Sequence, residues 1–75
     1  MYRFVFNYYK NPPLEYSGII KAKQSNALEV ETIEEENLLT FDYQTMFDIQ
    51  LFAKDKSYKI SCKDLKSIEV EKEPD

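Results

Sequence analysis

The sequence predicts an all-β fold, a small barrel of five to seven short antiparallel strands. Three observations predict it. Apolar and polar residues alternate with period two over most of the chain, the repeat of a pleated strand with one buried face. Aromatic and β-branched residues fill many of the apolar positions, and these residues suit a pleated, half-buried surface. Turn-forming clusters punctuate the pattern at Lys10-Asn11-Pro12-Pro13, Gln24-Ser25-Asn26 and Lys54-Asp55-Lys56-Ser57. With 75 residues the chain has room for one modest core. Residues 1–71 are assigned to a single domain, and residues 72–75 to a charged, fraying C-terminal tail.

Taken in order, Tyr2, Phe4, Phe6 and Tyr8 share one face of a first strand, with Arg3 and Asn7 opposite. Two consecutive prolines end it, because neither can donate a ladder bond. Leu14, Tyr16, Gly18, Ile20 and Ala22 form the next inward face, while Glu15, Ser17, Lys21 and Lys23 point away. This strand is long, and Gly18 in its middle marks a bend or bulge. Leu28, Val30 and Thr32 continue the inner face beyond the Gln24–Asn26 turn, and Glu34–Asn37 is a charged connection.

From Leu39 the inward residues become odd-numbered: Leu39, Phe41 and Tyr43, then Phe47, Ile49, Leu51 and Ala53. The run exceeds one ordinary strand and is split near Tyr43–Met46. A helix over Asn37–Ala53 is rejected, because its charges alternate singly instead of collecting on one side. Tyr58, Ile60 and Cys62 point inward on the next strand. Lys63–Lys66 reads as one 3₁₀ turn with Leu65 tucked beneath the barrel, and Ile68 and Val70 belong to the last strand.

The hairpin Phe47–Cys62, one 3₁₀ turn and a short final strand resemble the C-terminal half of SH3-like and Sm-like small barrels. The resemblance is architectural and covers Leu14–Val70. Of the Sm signature positions, Gly18 alone is matched. The resemblance implies a closed barrel, with Tyr2–Tyr9 an addition at an edge or over one end.

Composition excludes several activities. The sequence has no histidine, which removes the commonest general base and the commonest metal ligand. A single glycine is incompatible with a glycine-rich phosphate loop. One cysteine, Cys62, allows no intrachain disulfide and no cysteine-based zinc site; by parity it is a small inward apolar residue. Lys59 and Ser61 share a solvent face, where the lysine stays hydrated. Glu29 and Glu31 are same-face neighbours and cannot bracket a substrate. No catalytic residue, metal or cofactor is assigned. The longest uncharged stretch is the six residues Phe4–Tyr9, far short of the ~20 that a membrane helix needs. With no secretory pattern at Met1, the expected location is cytoplasmic. Richness in Lys, Asn, Tyr, Ile and Glu points to an AT-rich genome, that of a low-GC bacterium or its phage.

Charge is unevenly placed. Residues 29–48 carry Glu29, Glu31, Glu34, Glu35, Glu36, Asp42 and Asp48 without one cation, whereas residues 1–28 sum to +3. Such an acidic face would dock a basic partner and raise its on-rate. Val5, Tyr9, Ile19, Ile33, Leu38 and Phe52 fall on the outward parity. Of these, Val5, Tyr9, Ile19, Ile33 and Phe52 are the candidate apolar patch for a partner. The expected function is therefore a non-enzymatic protein–protein interaction module. In its sharper form it is a phage or mobile-element inhibitor docking a basic partner through the acidic face. An open edge strand would also serve a homodimer. The alternative is a nucleic-acid-binding small barrel, oligomeric in one version. For it speak Arg3, Lys10, Lys21, Lys23 and outward Tyr9, together with Tyr2–Phe6, which resembles the aromatic strands of RNA-recognition sheets. Against it stands a net charge of −4.

Overall fold

A computed structural model describes residues 1–74. Among the described residues the six strands are β1 (Tyr2–Tyr8), β2 (Leu14–Ser25), β3 (Val30–Ile33), β4 (Ile49–Ala53), β5 (Ser57–Ile60) and β6 (Leu65–Lys72), with a single 3₁₀ turn at Glu35–Asn37. They form one antiparallel sheet in the order β5-β4-β2-β1-β6, with β3 paired to β2 off this path. The all-β expectation holds. The barrel does not close, because β5 and β6 end the path and share no ladder. The reason lies in β1. Expected at an edge or over one end, it instead sits between β2 and β6 and takes the ladder of the last strand from Tyr2↔Lys72 to Tyr8↔Leu65.

β2 organises the sheet. Its first half pairs with β1, and its second half pairs with β3 on one side and β4 on the other. Two bulges make this possible. Tyr2 pairs with Ile19 and Phe4 with Tyr16, so β2 carries an extra residue at Ser17-Gly18. Ile19 pairs with Ala53 and Lys21 with Phe52, so Ile20 is a second extra residue. Gly18 lies at φ +71°, a left-handed conformation that glycine adopts without a Cβ penalty.

Each bulge flips the side-chain alternation. Ile19, expected outside, is fully buried, and Ile20, expected inside, is only half-buried. After the second bulge Ala22 and Gln24 point inward again. A longer turn corrects β3 in the same way. Its reversal spans Asn26–Glu29, where Asn26 Oδ1 accepts the Leu28 and Glu29 N–H groups at 2.8 and 2.9 Å. Leu28, Val30 and Thr32 therefore face water, and Ile33 enters the core.

The expected strand Leu39–Tyr43 does not form. Beyond the 3₁₀ turn, Phe41 N–H donates to Asn37 C=O at 3.1 Å and Tyr43 Oη–H to Leu38 C=O at 2.7 Å. Held by these two local bonds, the segment packs Leu38, Phe41 and Tyr43 onto the core. Before β6, Leu65 N–H donates to Cys62 C=O at 3.1 Å, but Asp64 has φ +63°. This is a left-handed reversal, not the 3₁₀ turn expected there.

The core gathers Phe4, Phe6, Ile19, Ala22, Ile33, Leu38, Ile49, Leu51, Ile60 and Leu65. An aromatic chain runs across it through Phe41, Tyr43, Phe4, Phe6, Tyr16 and Tyr58, with neighbouring centroids 4.7–6.1 Å apart. Tyr16 on β2 meets Tyr58 on β5, two strands away, so the sheet coils over its own inner face. That coiling supplies the second packing layer that an open single sheet lacks. The terminal segment is docked through Glu73, whose N–H donates to Met1 C=O at 2.9 Å and whose carboxylate accepts the Gly18 N–H at 2.7 Å. Of the tail expected to fray, Asp75 lies outside the described residues.

Candidate functional site

The seven acidic residues are all exposed, but the fold divides them. Glu29 and Glu31 follow the β2–β3 reversal. Glu31 lines a depression with Gln24, Asn26, Phe41, Asp42 and Gln44. Asp48 lines a neighbouring one with Lys23, Val30 and Lys59. Glu34, Glu35 and Glu36 lie at the other end of β3, beside Ile20, Lys21 and Phe52. Glu35 also takes the N-terminal amine of Met1 at 3.4 Å.

One buried polar side chain builds the end of the molecule that carries Glu29, Glu31, Asp42 and Asp48. Gln24 on β2 is 3% exposed. Its Nε2 donates to Gln44 C=O at 2.6 Å and to Phe47 C=O at 3.3 Å, and its Oε1 accepts the Gln44 N–H at 2.9 Å. The loop is thereby clamped against β2 next to the β2–β3 reversal. Read as a turn residue in the sequence, Gln24 occupies the inward parity of Ala22, and that parity is the signal for a buried role. Around the clamp three large apolar side chains remain in water: Leu28 at 95% exposure, Val30 at 60% and Met46 at 69%. Leu28 and Val30 alternate with Glu29 and Glu31, and Met46 lies between Asp42 and Asp48 in the loop.

The apolar patch read from parity does not assemble. Ile19, Ile33 and Leu38 are core residues. Val5 sits between Glu15 and Glu69 on the outer face. Tyr9 is 70% exposed at the β1–β2 connection. Phe52 lies beneath two lysines, with Lys21 Nζ 5.2 Å and Lys23 Nζ 5.7 Å from its ring centroid. Of the other basic residues, Arg3 is bound by Glu15 at 3.0 Å and by Glu71, and Lys10 lies near Asp64 at a separate end.

No side chain stands out as a nucleophile. Cys62 is half-buried and its N–H donates to Asp48 Oδ1 at 2.8 Å. That bond holds the Asp48 carboxyl below its ordinary range, and the same carboxylate pushes the Cys62 thiol up. The thiol is thus kept protonated and slow. Ser61 Oγ accepts the Lys63 N–H at 3.2 Å. Among the described residues, no group of three or more His, Cys, Asp or Glu side chains could hold a metal ion. No described helix is long and apolar enough to cross a membrane. Comparison with protein-family models, with curated proteins and with solved structures finds no match.

Proposed function

We propose that this protein is a non-enzymatic interaction module that binds a basic protein partner through the end built by Gln24. The observation that carries the reading is that Glu31 and Asp42 line one depression with the buried Gln24, with exposed Leu28 and Glu29 on the adjoining reversal and exposed Met46 in the clamped loop. Burying each of those apolar side chains against a partner contributes about 1.5–3 kcal/mol. The carboxylates around them attract a cationic surface and speed the encounter. In its sharper form the partner is a host enzyme whose nucleic-acid site this acidic end occupies, and the protein is an inhibitor of phage or mobile-element origin acting in the cytoplasm. The reading includes an open variant of the SH3-like layout, supported by the long bulged strand and by the hairpin ahead of the last strand.

The test is affinity capture from a low-GC bacterial lysate with the parent protein and with Glu29→Lys/Glu31→Lys/Asp42→Lys. All three sites are exposed, so circular dichroism should show the fold retained. The parent is expected to hold a basic partner in a salt-sensitive way, and the triple variant to lose it. Equal capture by both proteins would remove this surface from the function.

A further inference from the structure

On the opposite side of the sheet from the core, the strand registers assemble a second surface. Lys59 pairs with Gln50, Gln50 with Lys23 and Lys23 with Thr32. One step along, Ser57 pairs with Phe52 and Phe52 with Lys21. With strands about 4.8 Å apart and ~3.3 Å per residue, the three lysines fall within roughly 10–12 Å of one another on the face that carries Phe52. Like charges grouped on a sheet face destabilise it. The sequence carries fourteen carboxylates, yet none lies within ion-pair distance of these lysines among the described residues. Arg3 on the same sheet takes two. Lys21 and Lys23 rest instead over the ring, a cation–π contact that leaves their charge free for an anion.

We infer that this face binds single-stranded nucleic acid, with Phe52 as the stacking ring and Lys21, Lys23 and Lys59 as the phosphate partners. Aromatic rings flanked by cations on an open sheet are a sequence-tolerant platform for unpaired bases. A duplex keeps its bases stacked inside and offers the ring nothing. Lys59, Gln50 and Phe52 make this surface different from the one read in the sequence, which joined Lys21 and Lys23 to Arg3, Lys10 and Tyr9. Carboxylates bound it at two ends, Asp48 beside Lys23 and Lys59, and Glu34–Glu36 beside Lys21 and Phe52. They repel a longer strand, so the site holds a short segment of about four nucleotides. The surface adjoins the acidic end at Val30 and Asp48, which share a depression with Lys23 and Lys59, whereas Glu29, Glu31 and Asp42, the positions changed in the partner test, lie outside that depression.

The test is fluorescence anisotropy with labelled oligo-dT and oligo-rU hexamers, which separate DNA from RNA, and with labelled polyglutamate. At ~20 mM salt the parent should bind at least one hexamer, with log K falling against log salt at a slope near −2, about −0.7 for each of three phosphates. Lys23→Gln/Lys59→Gln should reduce that slope to about −0.7. Phe52→Leu keeps an apolar side chain in place, checked by circular dichroism, and should weaken binding roughly tenfold with the slope intact. No binding of either hexamer at ~20 mM salt would overturn the inference. So would polyglutamate binding as tightly as the hexamers with no effect of Phe52→Leu, which would make the face a contact for an acidic protein.

Discussion

Replacing Gln24 by Ala removes the side chain that ties the loop to β2. Three hydrogen bonds are lost, at 2.6, 2.9 and 3.3 Å. At ~0.5–1.5 kcal/mol net for each bond, and with the released backbone groups near enough to the surface for water to reach them, the cost is about 2–3 kcal/mol. A chain of this length has roughly 4–11 kcal/mol in total, so the loss is a large fraction. It corresponds to a fall in Tm of about 10–20 °C. Urea unfolding followed by tyrosine fluorescence and circular dichroism measures it, since the sequence has eleven aromatic residues but no tryptophan. Gln24→Glu sharpens the test. The carboxylate still accepts from Gln44 N–H but faces the Gln44 and Phe47 carbonyls without a donor, and burial raises its folded-state pKa. A raised folded pKa means stability present below the unfolded glutamate value near ~4.3 and lost as pH rises through the folded one. The deficit of Gln24→Glu should therefore be small near pH 4 and full at pH 7. A loss under about 0.5 kcal/mol for Gln24→Ala, within the range of ordinary surface substitutions, would refute the clamp.

Two further outcomes follow from neighbouring features. Ile19→Ala should cost about 2–5 kcal/mol and Ile20→Ala less, about 1–1.5 kcal/mol, because the bulges at Gly18 and Ile20 put the first in the core and leave the second half-buried; equal costs in chemical denaturation would place the bulges elsewhere. Cys62 should alkylate with an apparent pKa above the ordinary thiol value near ~8.5, and Asp48→Asn should lower it and speed the reaction at pH 7, because the carboxylate that disfavours the thiolate is gone. An unchanged rate profile would separate the two side chains.

Local physics was legible wherever a strand stays regular. In β1, Phe4 and Phe6 point inward as their alternation requires. In β4 and β5, Ile49, Leu51 and Ile60 do the same. The exposure of all seven acidic residues was equally legible, since charges stay in water unless paired. Alternation failed at Ile19, Ile20, Leu28, Val30 and Ile33, and each failure traces to one added residue at a bulge or to a turn of different length. Gly18 marked the bulge, but no local signal states how many residues it inserts. Leu39–Tyr43 carried a strand-like pattern and formed turns, held by the Phe41 N–H on Asn37 C=O and by the Tyr43 hydroxyl on Leu38 C=O.

The sequence by itself determined the pleated class, the single core, the absence of histidine chemistry and the excess of acid between Glu29 and Asp48. Each depends on composition or on neighbours two residues apart. The tertiary structure decided that β1 lies inside the sheet, that the barrel stays open, that Gln24 clamps the acidic end, and that Lys21 and Lys23 meet over Phe52 with Lys59 on the neighbouring strand. Those are pairings between distant strands. Their register is set by bulges and by competition for ladder bonds, which the order of residues along one strand does not encode.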